Sequence, residues 1–369
     1  MRGLGYELVC GRPSRVVLCV ALAVVAACLA VGCTPREAIR ATRKPQTVSP
    51  GWPAARTVTL PYRAYGSACV VGDALYVSVD SGGGEIDTVM KVDMGSEETR
   101  TVFASAAGIV DAYANDRWIV WESDNTLYAE PIDGGARSVL STGSEMFAPA
   151  LEGDVAAWVD RHGGEGGSIV THDLKRGTRR EVGRTHLANF YNNFMQIRDG
   201  KLLWTDIYGG TGHYLVHDLS SGKTVDYPAP RTRFRYPGYA KSSGEAIYSI
   251  TFDRYDEWDW TAQQVGRYST EAREYTPVTN DGESVNALVA GRDAIGIIDS
   301  EQRLLVGPAD GSRPAVNLST RWGTLIDRVQ VSSDGQTAVA GVSSSEKRET
   351  RLFIFELRAP SSESRLDRR

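Results

Sequence analysis

The stretch Asp199-Gly200-Lys201-Leu202-Leu203-Trp204-Thr205-Asp206, continued by Tyr214-Leu215-Val216-His217-Asp218-Leu219-Ser220-Ser221-Gly222-Lys223-Thr224, decides the fold. Asp-Gly between two apolar runs is the strongest short-range signal for a β-hairpin. Ser-Ser-Gly supplies the next turn with a residue that accepts a positive φ. The stretch therefore predicts a tight turn, a strand ending in aspartate, a glycine-rich loop, a second strand, another turn and a third strand.

This unit recurs along the chain at intervals of about 38 to 49 residues, a spacing typical of four-stranded propeller blades. The first hairpin turns of the copies are Gly72-Asp73, Asn115-Asp116, Gly153-Asp154, Asp199-Gly200, Ser243-Gly244, Arg292-Asp293 and Asp334-Gly335. No stretch shows sustained helical periodicity. We therefore predict an all-β, seven-bladed β-propeller of four-stranded blades over residues 55–358. Six or eight blades stay open as alternatives, because the fifth repeat is long and diverged.

The two ends of the repeat array are complementary. The seventh repeat contains only three strands, while Arg56-Thr57-Val58-Thr59-Leu60 is a strand with no repeat of its own. Pairing the two would complete the last blade and leave no open blade edge. The sequence thus predicts that the N-terminal strand closes the ring.

The third strand and its turn carry a family resemblance. His172-Asp173-Leu174-Lys175-Arg176-Gly177-Thr178 resembles the Asp-Leu-x-x-Gly repeats of TolB-like (WD40-like) propellers, and Ser332-Ser333-Asp334-Gly335-Gln336 resembles that family's Ser-Pro-Asp-Gly-Lys turn, with Ser333 in place of proline. The resemblance implies the propeller fold. The family includes periplasmic scaffold proteins, the propellers of prolyl oligopeptidase-type enzymes and some lyases, so it does not imply one activity.

The N-terminus has the pattern of a signal peptide. Three arginines precede an apolar run over residues 16–30, which is shorter than the roughly 20 residues of a membrane span. Ala30-Val31-Gly32-Cys33 resembles a bacterial lipobox, which implies cleavage before Cys33 and attachment of lipid, including palmitate, to that residue. Lipidation at Cys28 and an uncleaved anchor helix are the alternatives. Every one of these readings places the domain outside the cytoplasm, at the membrane.

The remaining terminal segments complete the predicted organisation. Residues 1–32 form the signal peptide, 33–54 a proline-containing flexible tether, and 359–369 a disordered tail. Cys69 is then the one cysteine left in the propeller, so an intramolecular disulfide is not expected.

The composition of the chain limits the classes of partner and ligand that we expect it to bind. The formal net charge of the 369 residues is -5, which argues against nucleic acid as a partner. The five histidines do not have the spacing of metal ligands, so we expect no metal and no cofactor.

Aspartates recur at the ends of the second strands. They are Asp80, Asp160, Asp206, Asp253 and Asp299. A ring of carboxylates would suit a cation or a basic ligand, whereas a repeated position is typical of a residue that bonds the amides of its own turn. We expect the second, because a site rarely needs the same residue from five blades.

Irregular loops are more informative than repeats, and three of them border blades 4 and 5. They predict a ligand-binding set of Phe190, Tyr191, Arg233, Phe234, Tyr236, Asp253, Tyr255, Trp258 and Trp260. Exposed aromatic and arginine side chains suit a sugar, a peptide or a protein partner. The alternative is that these aromatic rings pack over the blade edges.

The sequence thus favours a lipid-anchored binding or scaffold module whose partner is a cell-envelope protein or glycan. The alternative is a propeller-type polysaccharide lyase or glycosidase with Asp206 and Asp253 as acid and base. No nucleophile or metal constellation supports a catalytic assignment.

Overall fold

The computed structural model describes residues 56–109, 111–143, 145–161, 166–186, 195–253, 263–280, 284–311 and 315–357. These residues form seven four-stranded antiparallel sheets, which confirms the predicted seven-bladed propeller. The predicted signal peptide, tether and tail at 1–32, 33–54 and 359–369 lie outside the described residues.

Blades 1 to 6 are each built from four strands that are consecutive in the chain, ordered from the innermost to the outermost. Strand β1 (Arg56–Leu60) precedes blade 1, which contains β2 (Tyr65–Val71), β3 (Ala74–Val79), β4 (Thr88–Asp93) and β5 (Thr99–Ala104). Blade 2 contains β6 (Ala112–Ala114), β7 (Trp118–Ser123), β8 (Thr126–Pro131) and β9 (Ser138–Thr142). Blade 3 contains β10 (Glu145–Glu152), β11 (Val155–Arg161), β12 (Gly167–Asp173) and β13 (Thr178–Thr185).

The next three blades repeat this order. Blade 4 contains β14 (Gln196–Arg198), β15 (Lys201–Tyr208), β16 (Thr211–Asp218) and β17 (Lys223–Pro228). Blade 5 contains β18 (Tyr236–Ser243), β19 (Ala246–Phe252), β20 (Gln263–Ser269) and β21 (Glu274–Pro277). Blade 6 contains β22 (Val285–Ala290), β23 (Ala294–Asp299), β24 (Leu304–Pro308) and β25 (Val316–Asn317).

Blade 7 joins the two ends of the propeller. Its first three strands are β26 (Arg328–Val331), β27 (Thr337–Ser344) and β28 (Glu349–Glu356), and β1 (Arg56–Leu60) pairs with β28 as the outermost strand. The pairing runs from Arg56 opposite Ile354 to Leu60 opposite Thr350. The predicted closure by the N-terminal strand is therefore confirmed.

Hairpin chemistry explains the blade geometry. Asp199 and Gly200 have φ values of 51° and 70°, and Arg198 pairs with Lys201, so the turn is the two-residue, positive-φ type that matches strand twist. The innermost strands contact their neighbours around the ring, from β2 through β6, β10, β14, β18 and β22 to β26 and back to β2. They therefore surround an axial channel.

Large side chains fill the space between blades. Trp121, Trp158 and Trp204 recur at the second strands of blades 2 to 4 and are 0–1% exposed. Gly183 allows the fit of blade 3 on blade 4, since a Cβ there would lie 2.9 Å from the ring of Trp204. Cys69 is buried and unpaired.

One helix occurs among the described residues, a single turn that the sequence did not predict. Helix α1 (Leu318–Trp322) follows β25, with Asn317 as its N-cap accepting a hydrogen bond from the Thr320 amide and Gly323 ending it in the left-handed conformation. No helix in this part of the chain is long and apolar enough to cross a membrane.

Candidate functional site

The connection between blades 4 and 5 is held rigidly against both blades. The amide of Ala229 donates to the Gly212 carbonyl at 2.7 Å, and the amide of Arg235 donates to the Phe252 carbonyl at 3.1 Å. A Cβ at Gly212 would lie 2.1 Å from the ring of Pro237, so only glycine permits this approach. The segment that carries the predicted arginine and aromatic residues is thus fixed at both ends.

In three blades, an aspartate at or near the loop end of the second strand is bound by a side chain from the connection that enters the blade. Arg63 forms an ion pair with Asp80 in blade 1 and Arg233 with Asp253 in blade 5, whereas the imidazole of His186 bonds Asp206 in blade 4. The nitrogen–oxygen distances are 2.8 Å for His186 Nδ1 to Asp206 Oδ2 and 3.4 Å for Arg233 Nη2 to Asp253 Oδ2. These contacts tie three of the connections between blades to the blade that follows each of them.

Two of the strand-end aspartates bond the backbone amides of their own loops. Asp80 accepts hydrogen bonds from the amides of Gly82 and Gly84, and the Arg63 side chain holds the pKa of the Asp80 carboxyl below its usual value. Asp299 accepts from the amides of Glu301 and Arg303. These carboxylates serve their own loops, as their recurrence predicted.

In blade 4 the group that bonds the aspartate is an imidazole. The carboxylate of Asp206 is 1% exposed and also accepts from the amides of His186 and Ile207, both at 2.8 Å, and from the Thr185 hydroxyl at 3.3 Å. The side chain of His186 is 65% exposed. Since Nδ1 faces the carboxylate, the Nε2 edge of the ring is the one left for an external partner.

A second carboxylate-bound imidazole lies beside the first. The Tyr208 and His213 rings are stacked with centroids 3.7 Å apart, and the His186 ring is 5.3 Å from Tyr208. Asp226 bonds both His213 Nδ1, at 2.9 Å, and the Tyr208 hydroxyl. Burial raises the pKa of Tyr208, and the hydrogen bond to Asp226 raises it further. The hydroxyl therefore stays protonated and acts as a hydrogen-bond donor.

We call this surface the blade 4–5 rim. It consists of His186, Asp206, Tyr208, His213, Asp226, Arg233, Tyr236 and Asp253. Its members lie at the end of blades 4 and 5 where the second strands finish and the chain crosses from one blade to the next. Two of its side chains, His186 and Arg233, are exposed on consecutive connections between blades, and each is bound to a carboxylate.

The nine predicted ligand-binding residues differ in their exposure and in whether the structure describes them. The side chain of Arg233 is 65% exposed and bound to Asp253, and the Tyr236 ring lies beneath the guanidinium of Arg235 at 5.1 Å. The prediction that Phe234 contacts a ligand needs correction. Phe234 is 3% exposed and the guanidinium of Arg233 lies over its ring, so its side chain cannot present a binding surface. Five residues, together with the predicted lipidation site Cys33, lie outside the described residues: Phe190, Tyr191, Tyr255, Trp258 and Trp260.

Sequence reasoning missed the imidazole groups of this rim. The spacing of the histidines indicates only that they do not form a zinc site, and no sequence pattern singles out Tyr208 or Asp226. The available signal is positional, since His186 lies in the connection that enters its blade, as Arg63 and Arg233 do. Within the described residues no group of three or more histidine, cysteine, aspartate or glutamate side chains could hold a metal ion.

The fold and this rim define the chain as a seven-bladed β-propeller with a polar loop face. No protein-family model matches the sequence, and no curated protein matches it. Among solved structures, the chain is similar to an oligogalacturonate lyase in complex with manganese (10% identity, 83% of this chain and 98% of that chain, TM-score 0.54).

Two further solved structures are similar to the chain. They are YCF48 bound to D1 peptide (11% identity, 84% of this chain and 99% of that chain, TM-score 0.54) and TolB from Acinetobacter baumannii (15% identity, 82% of this chain and 81% of that chain, TM-score 0.44). At identities of 10–11%, the two likenesses with TM-scores of 0.54 show the propeller fold alone.

Proposed function

We propose that the protein is a lipid-anchored, extracytoplasmic β-propeller whose blade 4–5 rim binds a cell-envelope protein or glycan. The observation that carries the proposal is the pair of exposed side chains His186 and Arg233, each 65% exposed and each bound to a carboxylate of its own blade. A side chain already held in one orientation loses less conformational entropy on binding. The rim is therefore suited to a partner rich in hydroxyl, carboxylate or carbonyl groups.

Charge gives the rim its specificity. Arginine is enriched at binding hot spots and presents a planar set of donors. The ion pair with Asp253 leaves the outer donors of Arg233 available to a partner. His186 adds an imidazole edge that donates or accepts. We expect polar recognition at this rim, with Tyr236 contributing a ring edge.

Replacement of Arg233 by glutamate should weaken envelope binding by about tenfold or more, because it places a second negative charge beside Asp253 and removes the donors. The measurement is sedimentation of the purified full chain with protein-free peptidoglycan sacculi, and separately its binding to detergent-solubilised envelope proteins. These two arms distinguish a glycan from a protein partner.

The matched control is Arg63→Glu, which reverses the same kind of charge beside Asp80 in blade 1. Binding should survive in that variant. Equal losses in both variants, with unchanged melting temperatures, would mean that the rim is not the binding surface.

Lipid attachment is tested by cysteine substitution. Cys33→Ser should remove the chain from the membrane fraction and abolish incorporation of an alkyne-labelled palmitate, because serine lacks the thiol that carries the diacylglycerol. Cys28→Ser is the control and should leave both unchanged. The reverse pattern would assign lipidation to Cys28, and labelling of neither would contradict the anchor.

The enzymatic alternative lacks geometric support in the form the sequence suggested. Asp206 cannot act on a polysaccharide as an acid or base, because its carboxylate is buried and engaged by His186, Ile207 and Thr185. Asp253 is bound to Arg233. The binding role is therefore the function that we propose.

A further inference from the structure

The outermost strand of blade 3 carries a concentration of positive charge that the other blades lack. β13 contains three arginines, whereas none of the other six outermost strands contains more than one lysine or arginine. Two more basic residues lie in the turn that precedes β13. We call these five residues the basic edge: Lys175, Arg176, Arg179, Arg180 and Arg184.

The side chains of the basic edge reach the solvent. Those of Arg176 and Arg184 are 81% and 77% exposed, and that of Arg179 is 45% exposed. Lys175 and Arg180 are exposed as well, and neither forms an ion pair within 4.0 Å with another residue in the described ranges. The charges of these two side chains are therefore available to an external anion.

The paired arginines of β13 also keep donors free. Arg184 contacts Glu181 through Nε at 3.2 Å, and Arg179 contacts the buried carboxylate of Asp160 through Nη2. A guanidinium has five N–H donors in a fixed fork, so a contact through one nitrogen orients the side chain and leaves the other nitrogens for a ligand. These two arginines are thus held in place without being used up.

A β-bulge sets the direction of the arginines along the strand. The pairing of β13 with β12 skips Val182. Arg179 pairs with His172 on one side of this bulge, and Arg184 pairs with Ser168 on the other. His172 and Ser168 are four residues apart in β12, so they and their partners lie on one face of the blade. The bulge therefore places Arg179 and Arg184 on the same face, which residues five apart in a regular strand would not share.

The positive charge follows one strand and does not spread to the neighbouring blades. β9, the outermost strand of blade 2, has no charged residue, and β17 of blade 4 has one lysine and one aspartate. At the usual rise per residue, the 8 residues of β13 extend for about 26 Å. A bilayer surface would meet the edges of several blades at once, so this narrow line of charge is better matched by a linear polyanion.

The same strand is poorly suited to the addition of a peptide strand. β13 is last in the sheet order of blade 3, so its outer side pairs with no strand among the described residues. Bulges and charged side chains on an edge strand hinder backbone pairing with another chain. An acidic peptide would therefore lose the main-chain hydrogen bonds that give strand addition its affinity. What this edge offers is recognition by side chains.

We propose that the basic edge binds an anionic glycan, with the carboxylates of its uronic acid units paired to the arginines of β13. Guanidinium groups match carboxylates through two parallel hydrogen bonds, and a polymer presents such groups repeatedly along a line. The basic edge shares no residue with the blade 4–5 rim, although it ends two residues before His186. It is a second binding surface, whatever the partner of the rim.

Binding of alginate, a linear polyuronate, to the full chain in a non-ionic detergent tests this surface. The matched control is the same polymer with its carboxyl groups reduced to alcohols. Alginate should bind saturably and more weakly as salt is raised, because salt screens exposed charges, and the reduced polymer should not bind. No binding of alginate, or equal binding of the reduced polymer, would overturn the proposal. Tighter binding of polyglutamate or polyphosphate would overturn the choice of a glycan.

Variants locate the binding. Arg180→Glu combined with Arg184→Glu should weaken alginate binding by about tenfold or more, since two charges of the basic edge are reversed. The control combines Arg56→Glu with Arg100→Glu, which changes the net charge equally through exposed arginines of β1 and β5 and should bind normally. Equal losses in the two folded proteins would mean that alginate responds to net charge alone, which would contradict the assignment.

Two single substitutions separate the basic edge from the rim. Glu181→Gln removes the one acidic residue between positions 175 and 184 and should strengthen alginate binding by about twofold. Arg233→Glu, in the rim, should leave alginate binding unchanged. Loss of alginate binding in Arg233→Glu and not in the β13 variants would place the polymer at the rim. That result would overturn the basic edge as the site and leave the function proposed for the rim intact.

Discussion

Leu60→Asp is expected to lower the free energy of unfolding by about 4 kcal/mol or more, enough to open the propeller at blade 7. Leu60 is 2% exposed and belongs to a cluster with Tyr65, Leu352 and Ile354 that joins blade 7 to blade 1. A carboxylate there would be desolvated without a partner, and β1 would separate from β28. The measurements are urea unfolding and amide hydrogen exchange of β28.

The control for this variant lies in the same strand. Thr59 is exposed, so Thr59→Asp should change the free energy of unfolding by only about 0.5 kcal/mol. Accelerated exchange in β28 should occur in Leu60→Asp alone. Similar stability of the two variants would mean that the closure by β1 contributes little to the fold.

Arg198→Met should cost about 3–5 kcal/mol of stability, the second largest effect that we expect. Arg198 is 8% exposed, and its guanidinium donates to the carbonyls of Ser242, Ala290 and Gly291. Methionine has similar length but no donor, so the carbonyls of blades 5 and 6 would lose a charged partner in a buried environment.

Arg292→Met provides the comparison, because Arg292 lies at the same face but is 59% exposed and 3.8 Å from Asp199. Exposed ion pairs of this kind contribute about 0–1 kcal/mol. Chemical unfolding of both variants decides the question. A loss for Arg198→Met no larger than that for Arg292→Met would contradict the role of Arg198 in joining blade 4 to blades 5 and 6.

Local turn chemistry made the blades predictable. Asp199-Gly200 and its counterparts specify hairpins through φ values that few other residues accept, and such signals are read within a few residues. The closure by Arg56–Leu60 followed from a strand count, because an unpaired strand and an incomplete blade need each other. Both predictions depend on short segments of sequence, the hairpin turns and the strands, and on how often each occurs.

The candidate sites depend on contacts that no local pattern encodes. His186 meets Asp206 twenty positions later only because the connection from blade 3 passes the loop end of β15. Phe234 illustrates the opposite error, since an aromatic residue in an arginine-rich loop suggested exposure while the backbone turns its ring inward. Side-chain direction in an irregular loop is set by tertiary packing.

Photo-crosslinking shows whether the blade 4–5 rim contacts an envelope partner. A photoreactive amino acid is placed at position 233 in the full, membrane-associated chain, and at position 63 in a matched protein, because both positions carry an arginine that is bound to a strand-end aspartate and reaches the surface. We expect one discrete crosslinked envelope component from position 233 and none from position 63. Crosslinking from position 63 and not from position 233 would contradict it.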